Sequence, residues 1–414
     1  MQIICFEDER VEQLRPITHA RPAYAITCAS FRLIDWLKRL PGQLTASVRE
    51  YLAVIQQLDY ELDTPSASGF DWKDPDGLLI VNARLTPSME IEATLSGLIA
   101  ESKSSACIDE DDSVLVARIT AADVAKVAST GDVNLESLLE LATTLPNQNK
   151  SLDVFRWPHD VVAQHMTQMA DAMEWRTKHG DYTQTTDGVF LGEGATIGEY
   201  ASIDTSDGPI ALEKNVKVGP FCLLAGPVFA GAGTRVIEHA ALKDGVSLGH
   251  TTKIGGEVEA SVIEPFTNKQ HHGFLGHSYL GSWINLGAGT CNSDLKNTYG
   301  KINIHYGDNK VATGMQFLGC FIGDYSKTAI NTSIFTGKVI GVCSMMYGFV
   351  TSNVPSYVNY ARLFGQTSLL PPDVMINTQQ RMFARRKVEQ RECDRQLIRD
   401  MYALSDSERD QDIF

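Results

Sequence analysis

Two stretches of the 414-residue chain hold side chains whose types and spacing could do chemistry. Near the N-terminus, Arg15 and Arg21 follow the acidic run Glu7-Asp8-Glu9, and two arginines just beyond a first strand can clamp the phosphates of a nucleotide. Ordinary surface ion pairs with the neighbouring carboxylates explain the same residues, and no glycine-rich phosphate loop accompanies them. Asn82, at the end of an apolar run, falls where open α/β sheets bind ligands.

The second stretch, residues 261–315, concentrates titratable and amide side chains. It interrupts a regular repeat, and function tends to lie on loops that leave a repeat rather than on the repeat itself. Its candidate residues are Lys269, His271, His272, His277, Tyr279, Asn285, Asn292, Asp294, Lys296 and Lys301.

Apolar residues return every six positions from about Val189 to Gly348, around this interruption. A period of six fits neither the period of 2 of a strand nor the period of 3.6 of a helix. It fits a coil whose flat sides are short strands, each pointing one aliphatic side chain inward, which predicts a β-solenoid. The runs in phase are Leu191, Ile197, Ile203; Leu212, Val218, Leu224; and Val236, Leu242, Leu248, Ile254.

Residues 1–150 alternate strand and helix patterns, which indicates an α/β layer. We expect strands at residues 2–6, 77–85, 106–108 and 113–119, and helices at 30–40 (with Ser30 as N-cap), 46–58, 121–128, 135–145 and 157–178. After Tyr347 the repeats fade, and one helix is predicted from Pro371 to about Leu404. Its basic run between residues 381 and 399 is either a solvated face or a face that meets an acidic subunit surface or a cofactor's phosphates.

Composition excludes several classes of protein. The balance of 36 basic against 51 acidic residues, a net charge of −15, argues against a nucleic-acid or anionic-membrane partner. Eight cysteines without C-x-x-C pairs favour reduced thiols. No run approaches the roughly 18 apolar residues of a membrane span, and the first residues do not look like a signal peptide. We expect a soluble, cytoplasmic protein.

The segment HHGFLGHSYLGSWINLGAGTCNSD, residues 271–294, resembles the active-site stretch of the bifunctional N-acetylglucosamine-1-phosphate uridyltransferase/glucosamine-1-phosphate acetyltransferase family. The segment FEDERVEQLRPITHARPAYAI, residues 6–26, resembles a divergent bacterial branch of the same family, whose members are described as sugar nucleotidyltransferases. The resemblance implies a left-handed parallel β-helix of hexapeptide repeats, assembled as a homotrimer with acetyl-CoA bound between subunits. The implied domains are a nucleotidyltransferase-like α/β domain (1–155), a linker helix (156–180), the acyltransferase-like β-helix (181–365), and a C-terminal helix and tail (366–414).

The resemblance also implies roles for individual residues. By position, His271 is the general base that takes a proton from the sugar amine, unless it is a structural loop histidine. The expected substrate contacts are Asn285, Asn292, Phe274 and Lys269, together with Arg15 and Arg21 of the first domain, and the implied acetyl-CoA contacts are Ala288, Gly348 and Arg362. Asn285 could equally be an inward residue that stacks along the coil. Glu259 stands where the family keeps a phosphate-binding lysine, and Ala241 where it keeps an arginine.

The function implied is sugar-nucleotide biosynthesis. The enzyme would transfer a nucleotidyl group from a nucleoside triphosphate to a sugar 1-phosphate, an acetyl group from acetyl-CoA to an amino-sugar 1-phosphate, or both, in the UDP-N-acetylglucosamine pathway. Nucleotidyl transfer would require Mg²⁺, although the sequence designates no metal ligands. Two alternatives remain: an acyltransferase alone, and a non-catalytic trimeric scaffold that binds a sugar nucleotide.

Overall fold

The computed structural model describes residues 1–65 and 70–409, with the side chain of residue 363 left aside. Within it the chain divides into two compact units. The first comprises Met1–Glu12, Arg21–Ile26 and Phe31–Arg156, and the second comprises Gln13–Ala20, Thr27–Ser30 and the chain from Trp157 onward.

The first unit is built on a five-stranded mixed sheet in the order β2-β1-β3-β5-β4. The strands are β1 (Gln2–Phe6), β2 (Gln43–Ser47), β3 (Leu78–Asn82), β4 (Ser105–Ile108) and β5 (Val114–Ile119). β1 pairs in parallel with β2 and β3, whereas β5 runs antiparallel to β3 and β4. β1 and β3 are buried along their whole length, as their dense apolar sequences predict.

Helices and short 3₁₀ turns connect these strands. They are α1 (Leu33–Leu37), α2 (Ala53–Tyr60), α3 (Met89–Ile99), α4 (Ala121–Thr130) and α5 (Leu135–Thr144), with 3₁₀ turns at Glu9–Leu14, Ala23–Ala25 and Glu50–Leu52.

Two expectations for this unit were wrong, and one helix was not predicted. The helix predicted over residues 46–58 begins at Ala53, because residues 43–47 form the edge strand β2. The helix predicted from residue 30 begins at Leu33, since Asp35 accepts the N–H of Arg32 and caps the helix there. Helix α3 was not predicted, although the hydroxyl of Ser88 caps it by accepting the N–H of Ile91 at 3.1 Å.

The second unit is the predicted β-solenoid, and its strands lie along three sides. The first side holds Val189–Leu191, Ile210–Leu212, Val228–Ala230, the ends of Ala241–Leu248 and Glu257–Ile263, Tyr279–Leu280, Cys320–Ile322 and Lys338–Ile340. The second side holds Thr196–Ile197, Lys217–Val218, Arg235–Val236, Lys253–Ile254, Asn268–Lys269, Lys327–Thr328, Met345–Met346 and Val358–Ala361. The third side holds Ser202–Asp204, Leu223–Ala225, the beginnings of Ala241–Leu248 and Glu257–Ile263, Phe274–Gly276, Cys291–Asn292, Ser333–Ile334 and Phe349–Val350.

Strands on successive coils pair in parallel, and their inward aliphatic residues form one continuous core. Leu212, Val218, Leu224, Val236 and Ile254 are all buried, which confirms the six-residue pattern for these coils. Ile203, in the first predicted run, is exposed, so burial does not hold at that position. Three strand pairs are antiparallel exceptions: Thr183–Thr186 on Val189–Leu191, the hairpin of Asn303–Tyr306 and Asn309–Ala312, and Val358–Ala361 on Gln366–Leu369, next to a 3₁₀ turn at Arg362–Phe364.

Helix α6 (Pro158–His179) belongs to this second unit. One of its faces is buried, and the imidazole of His165 on that face donates from Nε2 to the carbonyl of Gly245 and accepts the N–H of Ala29 at Nδ1, both at 3.1 Å. Burial lowers the pKa of His165 to about 4, so the ring is neutral and suited to this pair of bonds. The segment expected to be a linker therefore packs on the solenoid.

Two helices and a final turn, rather than one helix, end the described chain: α7 (Pro372–Arg385), α8 (Glu392–Leu404) and α9 (Asp406–Arg409). The break follows from Lys387, whose φ of 58° is left-handed, and from Asp394, whose carboxylate caps α8 by accepting the N–H of Arg391 at 2.8 Å. Among the described residues, no helix combines the length and the apolar character that a membrane crossing requires.

Candidate functional site

One corner of the solenoid gathers charged side chains from four successive coils. Lys243 lies in register with Glu259, and Glu259 lies in register with Gly276. His277 follows Gly276 at the turn from the third side to the first, in the left-handed region at φ 45°. Asp294 comes from the next coil, just after Cys291–Asn292. The parallel stacking of coils therefore places Lys243, Glu259, His277 and Asp294 in one column.

His277 and Asp294 form the central hydrogen bond of this column. Nδ1 of His277 lies 2.9 Å from Oδ2 of Asp294. A carboxylate can only accept, so Nδ1 carries a proton, and in the neutral form of the imidazole the lone pair lies on Nε2. The ring of Phe317 stacks on the imidazole at 5.4 Å between centroids. The backbone N–H of His277 donates to the backbone carbonyl of Glu259 at 3.2 Å. A carboxylate and an aromatic ring thus orient a partly exposed imidazole.

Glu259 completes the column and is neutralised by Lys243. The ammonium of Lys243 lies 3.1 Å from Glu259 and 2.8 Å from Glu257, and hydrogen bonds to these two carboxylates raise the pKa of Lys243. The donor atoms of Glu259, His277 and Asp294 all lie within 4.8 Å of one another, as metal ligands would. Lys243 already binds Glu259 and His277 already binds Asp294, which favours a base with an orienting acid over a metal centre.

Gly276 and Asn292 hold the turn that carries His277. A Cβ atom on Gly276 would lie 2.4 Å from Oδ2 of Asp294, so a larger residue would displace the acid. The buried amide of Asn292 accepts the N–H of Gly276 at 2.9 Å and donates to its carbonyl at 3.0 Å. Asn292, expected to contact the substrate, has its side-chain atoms engaged in this backbone contact.

The predicted base, His271, lies elsewhere on the loop. It is exposed, and the described part of the chain gives its imidazole no hydrogen bond or ion pair. Its neighbour His272 is exposed as well. The assignment to His271 stays a prediction, and of these three histidines His277 is the one whose ring is oriented by a hydrogen bond.

Lys269, expected to bind the substrate, points into the solenoid. It is paired in register with the inward Ile254, and its ammonium donates to the carbonyls of Gly255 at 2.7 Å and Gly273 at 2.6 Å. Burial lowers the pKa of Lys269 to about 8. This lysine is thus part of the core, where it satisfies two backbone acceptors.

The remaining expected contacts keep some solvent exposure. Asn285 is exposed on the second side, where it forms isolated bridges with Asn268 and Lys327, so it is not an inward residue. The expected contacts that are exposed or half-buried are Phe274, Asn285, Ala288, Gly348 and Arg362.

In the first unit, the carboxyl ends of β1 and β3 carry a buried ionic network. The Arg84 guanidinium, fully buried, donates to both carboxylate oxygens of Asp8 at 2.8 and 2.7 Å, and the amide of Asn82 donates to the same carboxylate at 2.8 Å. Burial alone would raise the pKa of Asp8, but these bonds lower it overall. Glu7 is held in the same way by Arg49, at 3.0 Å.

The fit of Mg²⁺ to this network is poor. Mg²⁺ prefers carboxylate oxygens, but Arg84 and Arg49 already bind both carboxylates here. The two arginines expected to clamp phosphates fall in different units, Arg15 in the second and Arg21 in the first, and the side chain of Arg21 is buried.

Sequence reasoning missed Lys243 and Phe317. It named His277 and Asp294 among the candidate residues but assigned neither of them a role. The signal was available in the coil length. Glu259 lies 16 residues after Lys243, and Gly276 lies 17 after Glu259, so polar residues at this spacing stack on adjacent coils. Asp294 stands 17 residues after His277 in the sequence.

Comparison with known proteins finds a family match in the N-terminal part of the chain. Residues 3–180 match the family model described as sugar nucleotidyl transferase. The matched segment covers most of the first unit and also helix α6. The resemblance inferred from the sequence is thus confirmed for the N-terminal part of the chain.

Curated relatives extend the similarity. A bifunctional sugar-1-phosphate nucleotidylyltransferase/acetyltransferase of Sulfurisphaera tokodaii is 32% identical over 97 residues, which is 23% of this chain and 24% of the relative. The bifunctional protein GlmU of Ralstonia nicotianae is 33% identical over 115 residues, 27% of this chain and 24% of the relative. GlmU of Cupriavidus pinatubonensis is 29% identical over 157 residues, 37% of this chain and 31% of the relative. The chain thus spans a quarter to a third of the length of these relatives.

Proposed function

We propose that the protein is a transferase of sugar-nucleotide biosynthesis whose solenoid moves an acetyl group from acetyl-CoA to the amine of an amino-sugar 1-phosphate, with His277 as the general base. The observation that carries the proposal is the hydrogen bond between His277 and Asp294, which leaves Nε2 of a partly exposed imidazole free to accept a proton. The similarity to bifunctional nucleotidyltransferase/acetyltransferases supports the choice of reaction.

The step needs a base because an ammonium ion has no lone pair. The free amine attacks the thioester carbonyl carbon, and a C–N bond forms as Nε2 of His277 takes a proton from the nitrogen. Asp294 stabilises the imidazolium that results. The C–S bond then breaks, and the imidazolium returns the proton to the leaving thiolate, which departs as the free thiol of CoA.

Other contacts in the proposal are limited to residues that keep exposed surface. Phe274 and Asn285 are proposed to contact the sugar, and Ala288, Gly348 and Arg362 to contact acetyl-CoA. Lys269 and Asn292 are assigned to the scaffold, because backbone groups already bind their polar atoms. A homotrimer, which would bring a second copy to the solenoid surface, belongs to the same proposal.

The first unit is proposed to bind a sugar 1-phosphate and a nucleoside triphosphate. The sugar nucleotidyl transferase match over residues 3–180 supports this assignment. Nucleotidyl transfer at the network of Asp8 and Arg84 would require these ion pairs to open before a metal could bind.

One assay panel tests both activities. The purified protein is incubated with acetyl-CoA and glucosamine 1-phosphate, and free thiol is measured. In parallel, N-acetylglucosamine 1-phosphate is incubated with UTP or dTTP, with and without MgCl₂, and pyrophosphate is measured. Thiol release that depends on the amino sugar supports acetyl transfer. Release of thiol without release of pyrophosphate would indicate an acyltransferase alone. If the protein releases neither product but binds a sugar nucleotide, it would be a scaffold.

A further inference from the structure

A strip of basic side chains lies on the second side of the solenoid, away from the corner of His277. Lys217 is in register with Arg235, and Arg235 is in register with Lys253, on three consecutive coils. The next residue on each strand, Val218, Val236 or Ile254, is buried, so the three cations face outward.

Helix α7 extends the strip. The ring of Phe383 on α7 packs against Trp283 of the solenoid in a tilted arrangement, at 4.3 Å between centroids. This contact positions the end of the helix, where the guanidinium of Arg386 donates to the side-chain oxygen of Asn268. Asn268 is the residue in register with Lys253 on the next coil. Arg385 precedes Arg386, and burial of Lys253 together with the charges of both arginines lowers the pKa of Lys253.

The described residues provide no carboxylate partner for Lys217, Arg235, Lys253, Arg385 or Arg386. By contrast, Lys243 and Lys214 on the same solenoid are each paired with a glutamate. Burial is the largest cause that lowers the pKa values of Lys253 and Arg386, and repulsion from neighbouring arginines comes second. Like charges on directly opposed strand positions are destabilising.

We propose that this basic strip is a binding site for phosphoryl groups of a small, multiply phosphorylated molecule. Adjacent coils lie about 4.8 Å apart, so successive cations can each meet a phosphoryl group of one extended ligand. Arginine supplies paired donors for phosphate oxygens. The net charge of −15 disfavours a long polyanion such as nucleic acid, which would also meet the acidic surface. The proposal does not depend on acetyl transfer at His277.

Three sources share this chemistry: inorganic polyphosphate, a nucleoside triphosphate, and the diphosphate and 3′-phosphate of CoA. Isothermal titration calorimetry at low salt with sodium tripolyphosphate, UTP, CoA and 3′-dephospho-CoA separates them. The wild-type protein should bind tripolyphosphate. If UTP binds more tightly than tripolyphosphate, the natural ligand is a nucleoside triphosphate. If CoA binds more tightly than tripolyphosphate and 3′-dephospho-CoA binds more weakly than CoA, the natural ligand is CoA. Either result identifies the source within the same proposal.

The decisive variant is Arg235→Gln/Lys253→Gln, and its matched control is Lys310→Gln/Arg381→Gln, which removes the same charge at exposed positions outside the strip. The strip variant should raise the Kd for tripolyphosphate about tenfold or more, because hydrogen bonds to charged groups are lost. The control should change it less than twofold. Without anions the strip variant should melt no lower than the wild type, since removing like charges relieves repulsion.

Three results would overturn the proposal. The first is a wild-type protein that does not bind tripolyphosphate at low salt. The second is an equal loss of affinity in both double variants, which would reflect net charge alone. The third is an unchanged Kd in the strip variant together with a changed sedimentation coefficient, which would assign the strip to a contact between copies of the chain.

Discussion

Nδ1 of His277 lies 2.9 Å from Oδ2 of Asp294, across neighbouring coils of the solenoid. The bond joins a residue of the repeat to a residue at the start of the insertion that carries the hairpin of Asn303–Tyr306 and Asn309–Ala312. Because a hydrogen bond to one ring nitrogen fixes the tautomer, the insertion determines which nitrogen of His277 is basic.

Replacing His277 tests its role as the base. We expect His277→Ala to lower kcat for acetyl transfer by about 10²–10⁴-fold, the usual contribution of a positioned general base. Binding of acetyl-CoA should change little, and the pH profile of kcat/KM should lose its acidic limb. His271→Ala and His272→Ala are the matched controls from the same loop, and both should keep near-normal activity. Loss of activity in His271→Ala, with His277→Ala active, would restore the assignment made from the family resemblance.

Asp294→Asn tests the orientation of the imidazole rather than its presence. The amide is nearly the same size as the carboxylate, but it cannot stabilise an imidazolium, and its NH₂ group can donate to Nδ1 and select the wrong tautomer. We expect kcat to fall by about 10²-fold or more while KM for acetyl-CoA stays constant. The ¹⁵N chemical shifts of the His277 ring should report a change of tautomer. An unchanged tautomer with reduced kcat would show that Asp294 acts in another way.

The solenoid could be predicted from the sequence because its signal is local. Each coil repeats the same inward positions, so Leu212, Val218 and Leu224 reveal the sides without knowledge of any distant contact. The edge strand at residues 43–47 was missed because it is short and only partly buried, and its pairing with β1 is set by tertiary contacts.

The site was harder to predict, for two physical reasons. The approach of His277 to Asp294 depends on the number of residues in one coil, which varies between 15 and 17 in this region. Lys269 looked like a ligand contact because lysine is usually exposed. Its register with Ile254 shows that it takes an inward position that the repeat normally gives to an aliphatic residue. A residue type alone could not reveal this exchange.

Asp8→Asn should destabilise the first unit. The variant leaves the fully buried guanidinium of Arg84 without its anionic partner, which costs about 3 kcal/mol in the free energy of unfolding. The matched control is Asp111→Asn, which removes the partner of Arg10 in an exposed ion pair and should cost less than about 1 kcal/mol. Urea denaturation at pH 7 measures both values.

The stabilisation lost in Asp8→Asn should depend on pH. The pKa of Asp8 is lower in the folded than in the unfolded chain, so its ionic contribution is present at neutral pH and is lost as the pH falls below the unfolded value of about 3.9. The stability difference between the wild type and Asp8→Asn should therefore be constant above about pH 5 and shrink below about pH 4. A difference that does not change with pH would show that packing, rather than charge, accounts for the effect.

Lys269→Met tests the buried ammonium of the solenoid core. Burial lowers the pKa of Lys269 to about 8, whereas the unfolded chain keeps the ordinary lysine value of about 10.4. Between these values the unfolded state binds more protons than the folded state, so the contribution of Lys269 to stability rises with pH. The free energy of unfolding of the wild type minus that of Lys269→Met should increase by about 1 kcal/mol per pH unit between about pH 8 and 9.5. Using the difference between two proteins cancels the buried thiols, whose raised pKa values give the opposite slope.

The control for this measurement is Lys310→Met, because Lys310 is an exposed lysine on the hairpin of the same unit. Its stability curve should run parallel to that of the wild type over the whole pH range. Lys269→Met also leaves the carbonyls of Gly255 and Gly273 without their donor, which lowers stability at every pH. That loss shifts the curve without changing its slope. Parallel curves for Lys269→Met and the wild type would therefore show that the ammonium of Lys269 titrates as an exposed lysine does, and that the two carbonyls offset its burial completely.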